Sequence, residues 1–86
     1  MYYIYVLQSL KSGKLYTGFT NDLRKRFHQH NQNLSGYTKG RGPYKLIYYE
    51  ACLSRLDAMA RERYLKSGFG KRFLKSRLKR FLSATG

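Results

Sequence analysis

A chain of 86 residues with one proline and no Ser/Gly-rich linker has room for one core, so residues 1–86 are expected to form a single domain. A domain this short buries only roughly 60% of its unfolded surface, and modest stability is expected. Eighteen Lys and Arg against four Asp and Glu give a net charge of +14. Self-pairing cannot neutralise such a field, and a polyanionic partner is implied ahead of a merely solubilising surface.

Two other classes are set aside. An anionic membrane surface calls for one long apolar helix face, and no apolar run approaches the roughly 20 residues of a span. The start, Met1 to Gln8, lacks the basic segment and small-residue cleavage site of a secretory leader. The single cysteine, Cys52, cannot close an internal disulfide and fits a reducing compartment, so a cytoplasmic protein is expected.

Tyr2 to Leu10 is aromatic and β-branched, and the turn-like Lys11-Ser12-Gly13-Lys14 leads into a second such run, Leu15 to Phe19. This spacing predicts a hairpin. Thr20-Asn21-Asp22 supplies capping side chains for a first helix over residues 23–30, with Leu23 and Phe27 at i,i+4 as its buried stripe. Gly36, Gly40, Gly42 and Pro43 among basic and hydroxyl residues mark a positively charged loop. Tyr44 to Cys52 reads as a third strand. Ser54 to Asp57 reads as a capping box opening a second helix, with Leu56, Met59, Ala60 and Tyr64 as its apolar face and Ser67-Gly68 as its stop. From Lys71 to Leu82, Phe73, Leu74, Leu78, Phe81 and Leu82 alternate with lysines and arginines as one basic amphipathic helix. The fold class is therefore α/β in the α+β sense: a three-stranded antiparallel sheet flanked by three helices.

Tyr5 and Tyr16 fall on the two strands of the hairpin, where tyrosine is ordinarily a packing residue. Arg26 and His30 lie at i,i+4 on one face of the first helix, so a phenol, a guanidinium and an imidazole can converge there. His28 and His30 point in different directions and do not form a metal pair. Asp22 and Asp57 are engaged at helix starts. Glu62, flanked by Arg61 and Arg63 with Lys66 at i+4, is either an ion-pair residue or a carboxylate for a hard cation, and Glu50 is held in reserve.

Tyr3-Ile4-Tyr5, Tyr16-Thr17-Gly18, Asp22 to Arg26, His30-Asn31 and Arg61 to Lys66, in that order and nearly end to end, resemble the GIY-YIG nuclease superfamily. The match is narrower with its small bacterial URI-domain members, related to the N-terminal incision domain of the excision-repair C subunit. Tyr3 stands where the family name has Gly, and Phe19 where some members carry Lys. The resemblance implies that Tyr5 and Tyr16 line the scissile phosphate, Tyr5 as hydrogen-bonding partner of Tyr16, that Arg26 stabilises it and that His30 assists. Glu62 then holds one divalent metal, Mg²⁺ or Mn²⁺. The expected activity is metal-dependent endonuclease cleavage of nucleic acid, DNA ahead of RNA, in repair or recombination. The alternative is a binding module that keeps fold and charge without activity. Lys39, Arg41, Lys71, Arg72, Lys75, Lys79 and Arg80 are the expected nucleic-acid contacts, because nine of the eighteen basic residues lie between Arg61 and Arg80.

Overall fold

The computed structural model describes residues 1–32 and 40–85. The elements run β1 (Tyr2–Ser9), β2 (Leu15–Thr20), α1 (Leu23–Asn31), β3 (Tyr44–Cys52), α2 (Arg55–Lys66), α3 (Gly68–Arg77) and α4 (Lys79–Thr85). The three strands form one antiparallel sheet in the order β2-β1-β3, so the apolar β1 is central and the more polar β2 is an edge. The three-stranded α+β fold expected from the sequence is observed.

Side chains alternate across β1 and sort the core into two layers. Ile4 and Val6 pack against Ala58 and Leu65 of α2 and Leu74 of α3. Tyr5 and Leu7 face the other way, with Tyr16, Leu23, Phe27, Tyr44 and Leu46 around them, so that α1 covers this second face. A register shift opposite Val6 and Leu7 interrupts the β1–β3 ladder, and Ile47 and Tyr48, though adjacent, both pack on the α2–α3 layer. Asn31 at the end of α1 ties that helix to β3. Its side-chain amide donates to the Tyr44 carbonyl at 3.0 Å, and its oxygen accepts from the Tyr44 N–H at 2.6 Å.

The helix starts follow their polar residues. Asp22 caps α1 by accepting from the Lys25 N–H, and Ser54 caps α2 by accepting from the Asp57 N–H. Ser67 serves twice: its hydroxyl donates to the Tyr64 carbonyl at 2.6 Å at the end of α2 and accepts from the Gly70 N–H at 3.2 Å at the start of α3. Ser67-Gly68 thus stops one helix and starts the next.

Two expectations are corrected. The basic tail is two helices, giving four in all. Leu78, half-buried against the core, takes φ −106° and ψ 21° and ends α3, and α4 starts at Lys79. The apolar face assigned to α2 is largely on the outside. Leu56 is 74% exposed, Ala60 and Tyr64 are exposed, and Ala58 and Leu65 face the sheet instead. Ala58 and Leu65, seven residues apart, share a helix face, and the small Ala58 permits close approach to the sheet.

Candidate active site

The site is built on the face of the sheet that α1 covers. In the β1–β2 ladder Tyr5 stands opposite Gly18 and Leu7 opposite Tyr16, so both tyrosines emerge on one face, diagonally across the two strands. The Tyr5 ring lies over Gly18. A Cβ at Gly18 would land on the Tyr5 hydroxyl and Cζ and come within 2.9 Å of Cε2. The glycine of Tyr16-Thr17-Gly18 is therefore a steric requirement for the first tyrosine to lie where it does.

From α1, His30 reaches down between the tyrosines. Its ring centroid is 5.6 Å from that of Tyr5, 5.2 Å from Tyr16 and 6.3 Å from Tyr44. The Tyr5 hydroxyl and His30 Nε2 are hydrogen-bonded at 2.7 Å. Both side chains are buried, Tyr5 1% exposed and His30 not at all. Burial lowers the His30 imidazole to about 4, helped by the Arg26 charge, and raises the Tyr5 phenol to about 12. The nearby Tyr16 and Glu62 also raise Tyr5, and the Arg26 guanidinium opposes the rise. A neutral phenol and a neutral imidazole thus face each other at physiological pH.

Arg26, one turn before His30, is half-buried and donates to the Gln29 side-chain oxygen at 3.2 Å. The shared helix face inferred from their spacing brings Arg26 and His30 to the same phenol. His28 is exposed. Tyr5 does not reach the surface, so a substrate outside the protein meets half-buried Tyr16 and Arg26, with Tyr5 and His30 behind them.

Glu62 projects from α2 and is paired with Lys66 at 3.1 Å, the i,i+4 ion pair foreseen from spacing. Its charge is the smallest of the influences on Tyr5, and α2 itself packs on the other face of the sheet. Glu50, the reserve carboxylate, is engaged elsewhere. It accepts from Arg61 Nε and Nη2 at 2.8 and 2.9 Å and from the Tyr48 hydroxyl at 2.6 Å, and the Arg61 guanidinium holds it below the usual carboxylate range. Arg61 itself lies over the rings of Tyr64 and Phe73, at 5.0 and 4.8 Å.

No group of three His, Cys, Asp or Glu side chains among the described residues could by itself hold a metal ion. A hard cation such as Mg²⁺ does not need one, since a single carboxylate completed by water and phosphate oxygens is a usual arrangement. Glu62, paired with a flexible lysine, is freer to serve as that donor than Glu50, which Arg61 and Tyr48 engage.

The expected nucleic-acid contacts divide by location. Lys71 and Lys75 line a groove with Lys14, Lys66 and Tyr16. Arg41 lines a hollow on the other side of Tyr16 with Lys11 and Lys14. Arg72 lies over the Phe69 ring at 4.8 Å, and Lys79 and Arg80 border a separate hollow with Ser76 and Ser83. Lys39 lies outside the described residues. Lys14 and Lys66 were not singled out from sequence. Lys14 immediately precedes β2, and Lys66 is the last residue of α2.

Residues 1–80 match the GIY-YIG catalytic domain, a nuclease-type domain whose members act on nucleic acid. The chain is 46% identical over 67 residues to the UPF0213 protein CPE1444 of Clostridium perfringens, spanning 77% of this chain and 71% of that protein. It is 43% identical over 65 residues to the UPF0213 protein SAG0778 of Streptococcus agalactiae, spanning 74% and 73%. Among solved structures, the solution NMR structure of the UPF0213 protein BH0048 from Bacillus halodurans is similar at 36% identity with a TM-score of 0.54, covering 88% of this chain and 84% of that one. The chain belongs to the GIY-YIG family, in its UPF0213 group. No helix among the described residues is long and apolar enough to cross a membrane.

Proposed function

We propose that this protein is a divalent-metal-dependent endonuclease that hydrolyses phosphodiester bonds in nucleic acid, DNA ahead of RNA. The observation that carries the reading is the gathering of Tyr16 and Arg26 about a buried Tyr5–His30 pair in a chain of net charge +14. Phosphodiester hydrolysis builds negative charge on the phosphate oxygens, and fixed positive charge at that point stabilises the transition state. Arg26, held by Gln29 and aimed at the cluster, supplies such charge. Tyr16, the phenol nearer the surface, orients the attacking water, and in its phenolate form it would take that water's proton. Tyr5 and His30 are positioning residues in this scheme: buried and mutually hydrogen-bonded, they fix the floor against which Tyr16 and Arg26 stand. Glu62 would hold Mg²⁺ or Mn²⁺, which supplies charge neutralisation at phosphate and lowers the proton affinity of bound water.

The test is a cleavage assay over duplex, branched and single-stranded DNA and RNA, with Mg²⁺, Mn²⁺ or EDTA, on the parent and Glu62→Gln. The variant keeps the basic surface, so it is expected to bind as the parent does while losing metal-dependent cleavage. Cleavage by Glu62→Gln at the parent rate would remove Glu62 from the metal role. A parent that binds every substrate and cuts none would leave a binding module.

A further inference from the structure

The groove beside Tyr16 has a volume of about 720 Å³ and is drawn from three separate parts of the chain. Lys14 comes from the hairpin, Lys66 from the last turn of α2, and Lys71 and Lys75 from α3, and these four ammonium groups share its lining. Between them lies exposed Leu15, with Leu65 and Leu74 buried beneath, so the groove combines a basic rim with an aliphatic floor whose accessible part is Leu15. No carboxylate is among the lining residues, although Glu62 reaches Lys66 from outside. Tyr16 belongs both to this lining and to the catalytic cluster, so the groove opens directly from the candidate active site.

We propose that this groove is the track for the nucleic-acid strand on one side of the scissile phosphate, with Lys14, Lys71 and Lys75 on successive phosphates and the leucine floor under a sugar or base. The inference rests on the endonuclease reading for the position of the scissile bond, but not for the binding itself. Charge and continuity select the occupant. A polymer whose phosphate sits at Tyr16 must continue in some direction, and the groove offers one lined by cations and by apolar surface of the kind a sugar or base face covers. An acidic peptide would match the rim but has no reason to be threaded past Tyr16. The proposal also divides the basic residues of the C-terminal helices into two sets. Lys71 and Lys75 carry the strand, whereas Arg72, Lys79 and Arg80, which border other surfaces, contribute only to the general field.

The experiment is fluorescence anisotropy of labelled oligonucleotides in EDTA, where metal-dependent cutting is suppressed, across a range of salt concentrations. Two triple variants are compared after circular dichroism shows both folded: Lys14→Ala/Lys71→Ala/Lys75→Ala and Arg72→Ala/Lys79→Ala/Arg80→Ala. Both remove three charges, so the general field falls equally. The groove triple is expected to weaken binding by about tenfold or more beyond the other triple, and to lower the slope of log K against log salt by about two to three, at roughly 0.7–0.9 per phosphate contact. Leu15→Ser, on the exposed edge of the floor, is expected to weaken binding without changing that slope. Equal losses in the two triples would overturn the proposal in favour of an unfocused field. A larger loss in the Arg72 triple would overturn it in favour of a strand running over α4. Competition by polyglutamate as strong as by an oligonucleotide of equal charge would also overturn it, because the floor would then select nothing. If the groove triple loses binding while the parent cuts no substrate, the track stands and the endonuclease reading fails. If the parent cuts and the groove triple binds like the parent, the reverse holds.

Discussion

The hydroxyl of Tyr5 on β1 and Nε2 of His30 on α1 are 25 residues apart in sequence and 2.7 Å apart in space, both buried. This bond joins the central strand to the helix that covers it, and the burial of the two groups makes the stability of the fold depend on pH. His30 titrates near 4 when folded and near 6.5 when unfolded, so the unfolded chain binds the extra proton first, and stability is lost as pH falls from about 6.5 towards 4. Tyr5 is raised to about 12, so its contribution is complete below about pH 10 and is lost as pH rises towards 12. Urea unfolding from pH 4 to 11 is expected to show a plateau between about 6.5 and 10, with about 2–3 kcal/mol lost through His30 on the acid side. His30→Gln should flatten the acid limb and Tyr5→Phe the alkaline one. An acid limb unchanged in His30→Gln would assign it to other groups.

Gly18→Ala is expected to destabilise by about 1–3 kcal/mol, because the added methyl meets the Tyr5 ring rather than a movable chain end. The cost should not add to that of Tyr5→Ala, which removes the ring being struck, and a double-mutant cycle in urea reads the coupling directly. Strict additivity would mean that the ring yields without cost.

Arg61→Lys should cost about 1–2 kcal/mol in the same assay despite conserving charge. Lysine cannot reproduce the two parallel bonds to Glu50, nor lie flat over Tyr64 and Phe73. A loss of only a few tenths would mark the pair as ordinary surface electrostatics.

The strands and helix starts were legible because local chemistry writes them: aromatic runs for β1 and β3, Asp22 and Ser54 at their caps. The pairing of Arg26 with His30 followed from helical spacing alone. The buried face of α2 did not, since Leu56 and Tyr64 present a stronger apolar stripe than Ala58 and Leu65, and only the packing distance to the sheet decides between them. The break at Leu78 was invisible for a similar reason. No glycine or proline marks it, and the residue leaves the helix to pack on the core. At the site, the seclusion of Tyr5 could not be read from a motif that shows only its order along the chain. The bed formed by Gly18 and the bond to His30 come from β-register and helix placement together.

The junction at Ser67 leaves the chain no slack. One hydroxyl closes α2 and opens α3, and Gly70 sits so tightly on the last turn of α2 that a Cβ there would strike the Tyr64 carbonyl and Leu65 Cα. α2 and α3 therefore behave as the two arms of a fixed set square, with Glu62 on one arm and Lys71 and Lys75 on the other. One residue inserted between Ser67 and Gly70 would turn the second arm by about 100° about its own axis. Lys71 and Lys75 would swing off the groove while Glu62 stayed in place, so length variation that surface loops absorb elsewhere would misalign the two arms at this corner.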